Sequence, residues 1–249
     1  MKIVLEFCLL MLFFILISFT VIYHKTAKFN RKRDFRKMEE NIKFGLTRDF
    51  LDKLKGIYSS DDQLISLRKT VAILLDRLGN PSFPIPVEDI IRAMGFSLYS
   101  STTLRPNISA IIAVDDKLNS KFQNNKVVVS NRNDTVAHQR FAIAHEIAHF
   151  IFDCEMNKEF YDTYNTDADY SKEPTEIRAN LFAAELMMPY SDFESYIAKQ
   201  GNNISHDLLL NKISENFGVP KTAVARRYLE TEHDDLLIGT SYEGWGTNE

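Results

Sequence analysis

The feature that most restricts the fold of this 249-residue chain is Arg140–Phe152, which reads RFAIAHEIAHFIF. After Arg140 every residue is apolar except His145, Glu146 and His149. The apolar flanks on both sides of HEIAH predict a long buried helix, opened by Asn133 or Asp134 and running to about Phe152. On a helix, positions four apart lie on one face, so His145 and His149 present two imidazoles to one point. Tetrahedral Zn²⁺ takes that geometry, at about 2.0–2.1 Å per nitrogen. Glu146, turned about 100° round the helix, can reach a water on the metal without binding the metal itself.

Such a site needs a third protein ligand and one position open to water. Glu176 lies 27 residues after His149, in the first turn of a second helix opened by Pro174. The apolar face of that helix is Ile177, Leu181, Ala184 and Met188. A Glu176 carboxylate facing the first helix completes a His₂Glu set. Asn180, one turn on, is placed to hydrogen-bond a ligand imidazole. Taken alone, Glu176 also reads as an acid stabilised by the helix dipole.

The two segments together, RFAIAHEIAHF and EIRANLFAAELMMP, resemble the ImmA/IrrE family of zinc metallo-endopeptidases. The resemblance extends over about residues 62–230. It takes in the PVEDIIRAMG helix before the site and the FGVP helix pair after it. It implies a mostly helical, zincin-like α+β domain, with His145, His149 and Glu176 as zinc ligands and Glu146 as general base. It also implies a protein substrate, a helix-turn-helix transcriptional repressor. Candidates for a donor to the developing oxyanion are His138, Tyr161, Tyr164 and Tyr170.

At the other end of the chain, residues 3–23 (IVLEFCLLMLFFILISFTVIY) carry one charge, Glu6. At 1.5 Å per residue a helix of this length spans about 31 Å, the thickness of a bilayer core. A cleaved leader would want a basic start, a shorter apolar core and a small-residue cleavage site; here only Lys2 precedes the core, and the exit FTVIYHK offers no such site. The segment therefore reads as a transmembrane anchor. Residues 24–37 hold seven Lys or Arg against Asp34, a net +6. Positive flanks stay in the cytoplasm, which places the C-terminal bulk there, with the flank against the anionic headgroups of the lipid bilayer.

Removing that +6 from the total of −4 leaves −10 for residues 38–249, since residues 1–23 are neutral. So acidic a soluble part argues against direct nucleic acid binding, although helices 206–217 and 220–229, with Lys221, Arg226 and Arg227, have a helix-turn-helix outline. Two cysteines, Cys8 and Cys154, cannot form a disulfide framework, and lone Cys154 suits a reducing compartment.

The expected organisation is an anchor (1–23), a basic juxtamembrane segment and spacer (24–61), the metallopeptidase domain (62–230) and a flexible tail (231–249). Within the domain, helical periodicity marks Gln63–Leu78 and Pro86–Met94. Three β-rich runs, Phe96–Tyr99, Ser109–Val114 and Lys126–Ser130, predict a small antiparallel sheet. Residues 153–173 read as a long acidic loop. The resulting functional expectation is a membrane-anchored zinc endopeptidase. The alternative is a non-catalytic, zinc-stabilised module that binds a regulator at the membrane.

Overall fold

The computed structural model describes residues 45–155, 158–166, 173–200 and 205–232. The expected anchor at 3–23, the basic flank at 24–37 and the tail from 233 onward lie outside the described residues. Among the described residues no helix is long and apolar enough to cross a membrane.

The packed body starts within the expected spacer. Thr47 caps helix α1 (Arg48–Lys55), its hydroxyl accepting from the Phe50 N–H. Asp49 in the first turn and Lys53 and Lys55 in the last complement the helix dipole. Leu51 and Leu54 are buried, and Arg48 donates to the Cys154 carbonyl at 2.9 Å. A spacer would have no such anchors, so α1 belongs to the same core as the rest.

Helix α2 (Gln63–Arg77) buries Leu67, Val71, Leu74 and Leu75, the periodicity seen in the sequence. It ends where Gly79 (φ +76°) turns left-handed, with Gly79 N–H bonded to Asp76 O and Asn80 N–H to Leu75 O. Helix α3 (Val87–Ala93) follows and stops at Gly95.

The four-stranded sheet has the order β1-β3-β2-β4, with β1 (Ser97–Ser101), β2 (Ile108–Val114), β3 (Lys126–Asn131) and β4 (Phe160–Asn165). It is mixed rather than antiparallel: β1 pairs with β3 in parallel, while β2 runs antiparallel to β3 and β4. Burial explains the order. The Val127–Val129 run is apolar to both faces and needs two neighbours, whereas β1 buries little and takes an edge. Ala110, Ile112 and Val128 join the main core; Ala113, Val127 and Val129 join a smaller one with Leu118 and Phe122. Strand β4 lies inside the segment expected to be loop.

Helix α5 (Val136–Phe152), which follows a short helical turn α4 (Asn119–Phe122), is the centre of the body. Its cap is Thr135, whose hydroxyl accepts from the His138 N–H at 3.2 Å. The Asn133 side chain is engaged elsewhere, donating to Thr102 O, and the Asp134 backbone carbonyl accepts from the Gln139 side chain. All residues from Phe141 to Phe152 are buried, between the sheet and helix α6 (Pro174–Met187). Helix α7 (Tyr190–Ala198), absent from the sequence reading, follows and buries Phe193. Helices α8 (His206–Phe217) and α9 (Lys221–Glu232) close the described chain.

Arg140 ties three of these pieces together. Its guanidinium donates to both Glu88 carboxylate oxygens, to Ile85 O at 2.6 Å and to Gly218 O at 3.3 Å. Arg227, read in the sequence as a possible phosphate contact, is 1% exposed, ion-paired with Glu185 and bonded to Met188 O. The α8–α9 pair is thus a packed hairpin with an inward-facing arginine.

The turn at Gly218 generates a prediction. Its φ is +65°, and an added Cβ would come 2.9 Å from Pro84 Cβ and 3.1 Å from Arg140 Nε. Gly218→Ala should destabilise the protein by about 1–3 kcal/mol or more, combining left-handed strain with the clash. Gly79→Ala meets nothing within 4 Å and should cost only the backbone penalty, about 1 kcal/mol. Urea melts of the two variants against the parent check this; equal losses would mean that the Pro84 contact is soft.

Candidate metal centre

Two adjacent helices assemble the site. Helix α5 brings His145, Glu146 and His149, and α6 brings Glu176 from its first turn, where Pro174 starts the helix without needing a hydrogen bond. His145, His149 and Glu176 form a buried group whose ligand atoms all lie within 4.8 Å of one another. The two Nε2 atoms are 2.8 Å apart, and the Glu176 oxygens lie 3.1 Å from His145 Nε2 and 3.3 Å from His149 Nε2.

The outer ring nitrogens decide what the inner ones can do. His145 Nδ1 faces Asn180 Oδ1 at 3.0 Å. His149 Nδ1 faces carboxylate oxygens of both Asp153 and Asp162 at 2.9 Å. These partners are acceptors, so each Nδ1 carries a hydrogen and each Nε2 faces the cluster, where it offers a lone pair once a cation takes the place of its proton. Two imidazole nitrogens and a carboxylate aimed at one point need positive charge among them, either protons on the rings or a cation in their place. The donor set therefore fits a metal ion, and its nitrogen–carboxylate composition is one that zinc favours.

The electrostatics agree. Burial alone would lower the His149 pKa, but Asp153, Asp162 and Glu176 outweigh it and push it up to about 12. Burial would raise Glu176, yet its hydrogen bonds to both imidazoles hold it down to about 2. A point that so favours positive charge is suited to a metal cation. Glu146 is pushed the other way. Burial, reinforced by the Asp162 and Glu176 carboxylates, raises it well above the ordinary carboxylate range. One of its oxygens, Oε1, accepts the Tyr164 N–H at 3.0 Å. The other, Oε2, is buried with no hydrogen-bond partner among the described residues.

The remaining candidates divide. Asn180 stands beside His145, as its helical spacing suggested. Tyr164 is buried with its ring centroid 4.2 Å from that of His145. Tyr161 is turned away and bonds Asp115 through its hydroxyl. His138 bonds Ser109 Oγ at 2.9 Å, and its ring lies 6.1 Å from that of Tyr164. Tyr170 lies outside the described residues. Cys154 is a buried thiol just past the end of α5.

Sequence reasoning missed Asp153 and Asp162. Asp153 had a readable signal, four residues after His149 on the same helix face. Asp162 had none, because it arrives on β4. Arg178 on α6 pairs with Asp153 and locks that carboxylate in place.

Fold and site thus define a class: an α+β domain with a buried His₂Glu group able to hold a metal ion. Residues 108–229 match the family model described as Peptidase_M78, IrrE N-terminal-like domain, so this part of the chain is a domain of that family. Among solved structures, a Mycobacterium tuberculosis transcriptional regulator is similar, with a TM-score of 0.43 and 16% sequence identity. The match covers 76% of this chain and 52% of that one, so the chain spans about half the length of that protein. Comparison with curated proteins gives no match.

A metal ion held by this group would take one bond from each of His145, His149 and Glu176, so replacing any one of them by Ala should strip most of it. Metal analysis of the purified variants reads this directly. Full occupancy in Glu176→Ala would remove that residue from the ligand set.

Proposed function

We propose that the chain is a zinc-dependent endopeptidase in which His145, His149 and Glu176 hold Zn²⁺ and Glu146 is the general base. The observation that carries this reading is the state of Glu146. It is fully buried beside the donor cluster, with one oxygen fixed by a backbone N–H and the other unengaged. Burial and the neighbouring Asp162 and Glu176 carboxylates raise its pKa, which favours the protonated form that hands a proton to a leaving amine. A binding module has no need of such a group.

Zn²⁺ in that position supplies the Lewis acidity that makes water nucleophilic near neutral pH and polarises a scissile carbonyl. The chain's own residues do the rest. Glu146 Oε2 accepts the proton of the attacking water and returns it to the leaving amine, while Tyr164 N–H keeps Oε1 from rotating into its place. Tyr164, packed on His145, is the candidate donor nearest the centre. Family membership supports a protein substrate, and the resemblance points to a helix-turn-helix repressor. The apolar span at 3–23 and its +6 flank support a membrane anchor with the domain in the cytoplasm.

One observation favours the alternative, a metal-stabilised module that binds a regulator: His145, Glu146 and His149 are each no more than 1% exposed. Glu146→Gln separates the two readings. The amide is nearly isosteric, so metal content should be kept. Loss of the base should lower cleavage by about 10²–10⁴-fold. Zinc retained with regulation of the partner intact would sink the peptidase reading. For the topology, protease added outside intact cells should leave the domain whole. Digestion of the domain under those conditions would overturn the cytoplasmic placement.

A further inference from the structure

We propose that Asp162 is the positioning residue for His149, and that strand β4 sets the geometry of the centre as a unit; this rests on the metal-centre reading above. The register between β2 and β4 pairs Ile112 with Asp162 and Ala110 with Tyr164. Residues two apart on a strand share a face, and here that face turns to α5. Asp162 Oδ2 lies 2.9 Å from His149 Nδ1. The Tyr164 ring packs on His145. The backbone of the same residue donates to Glu146 Oε1. One six-residue strand therefore touches His145, Glu146 and His149 at once.

Asp153 reaches the same Nδ1 at the same 2.9 Å, but the two carboxylates are not equivalent. Asp153 sits on the helix that carries His149, and its other oxygen is held by Arg178. It can steady the ring relative to its own helix and to α6. Only Asp162 ties the ring to the sheet. A carboxylate on Nδ1–H fixes both the tautomer and the plane of the imidazole, and so the direction of the Nε2 lone pair. Since strand docking aids metal binding, metal binding must aid strand docking by the same factor. Anything that lifts β4 from β2 dismantles the centre, and anything that fills the centre holds β4 down.

The test uses the full chain in detergent. Zn²⁺ affinity is measured by chelator competition, exchange of the Tyr164 amide with and without Zn²⁺, and thermal stability in chelator. Asp162→Ala should bind Zn²⁺ 10–100-fold more weakly, and Zn²⁺ should no longer slow exchange at Tyr164. Asp162→Asn keeps an oxygen acceptor and should recover most of the affinity. Wild-type affinity in Asp162→Ala, with thermal stability alone reduced, would overturn the proposal and leave the metal centre standing. Failure of the parent chain itself to bind Zn²⁺ would overturn the metal-centre reading, and this proposal with it. If Asp162→Ala does not fold, Asp162→Val, which also lacks an acceptor and suits a strand, takes its place with the same two outcomes.

Discussion

The domain is organised around the cost of placing four ionisable side chains inside a hydrophobic core. His145, Glu146, His149 and Glu176 are between 0 and 3% exposed, on helices whose other buried positions are almost all apolar. Buried charge is tolerated only when paired, hydrogen-bonded or bound to metal. Here imidazole and carboxylate groups face one another, and a second layer of acceptors, Asn180, Asp153 and Asp162, holds the outer ring nitrogens. Each layer needs a different element at a fixed distance. The packing of α5 between α6 and the sheet is therefore dictated by polar geometry as much as by apolar area.

Arginines carry this order outward. Arg140 spans α3, α5 and the turn before α9. Arg178 joins α6 to Asp153 at the end of α5, and Arg227 joins α9 to Glu185 on α6. A guanidinium satisfies several acceptors in a fixed plane, so each of these residues fixes orientation as well as distance. For the buried Arg227–Glu185 pair, losing one partner strands the other charge at a cost of several kcal/mol, while the partly exposed Arg140 and Arg178 pairs are worth less. That makes the helical half of the domain intolerant of small relative shifts, which a centre with donor atoms about 3 Å apart requires.

Much of this was legible in the sequence because it is local. Helical periodicity and the i, i+4 spacing fix which residues share a face, so α2, α5, α6 and the convergence of His145 with His149 could be read from order alone. What was misread depends on partners distant in the chain. Antiparallel pairing of successive strands was the simple expectation, but Val127–Val129 demanded cover on both faces and β3 moved between β1 and β2. Phe160–Asn165 looked like loop because half its residues are polar, although its aromatic and Thr content favours strand. Asn133 and Asp134 are good caps by type, yet the Asn133 side chain turns to Thr102 and Thr135 lies one residue nearer the helix start.

The sequence by itself determined that His145 and His149 share a face with Glu146 beside them, and that Glu176 stands ready on a second helix to meet them. It did so because the spacing of HEIAH leaves a helix no choice about where those side chains point, and because Glu176 and Asn180 repeat the same periodicity on α6. Only the tertiary structure decided what aims and tunes them. Asp162 and the Tyr164 amide come from a strand whose place is set by its ladder with β2. A β-strand's position is fixed by hydrogen bonds to another strand, and those partners are not written in its own residues.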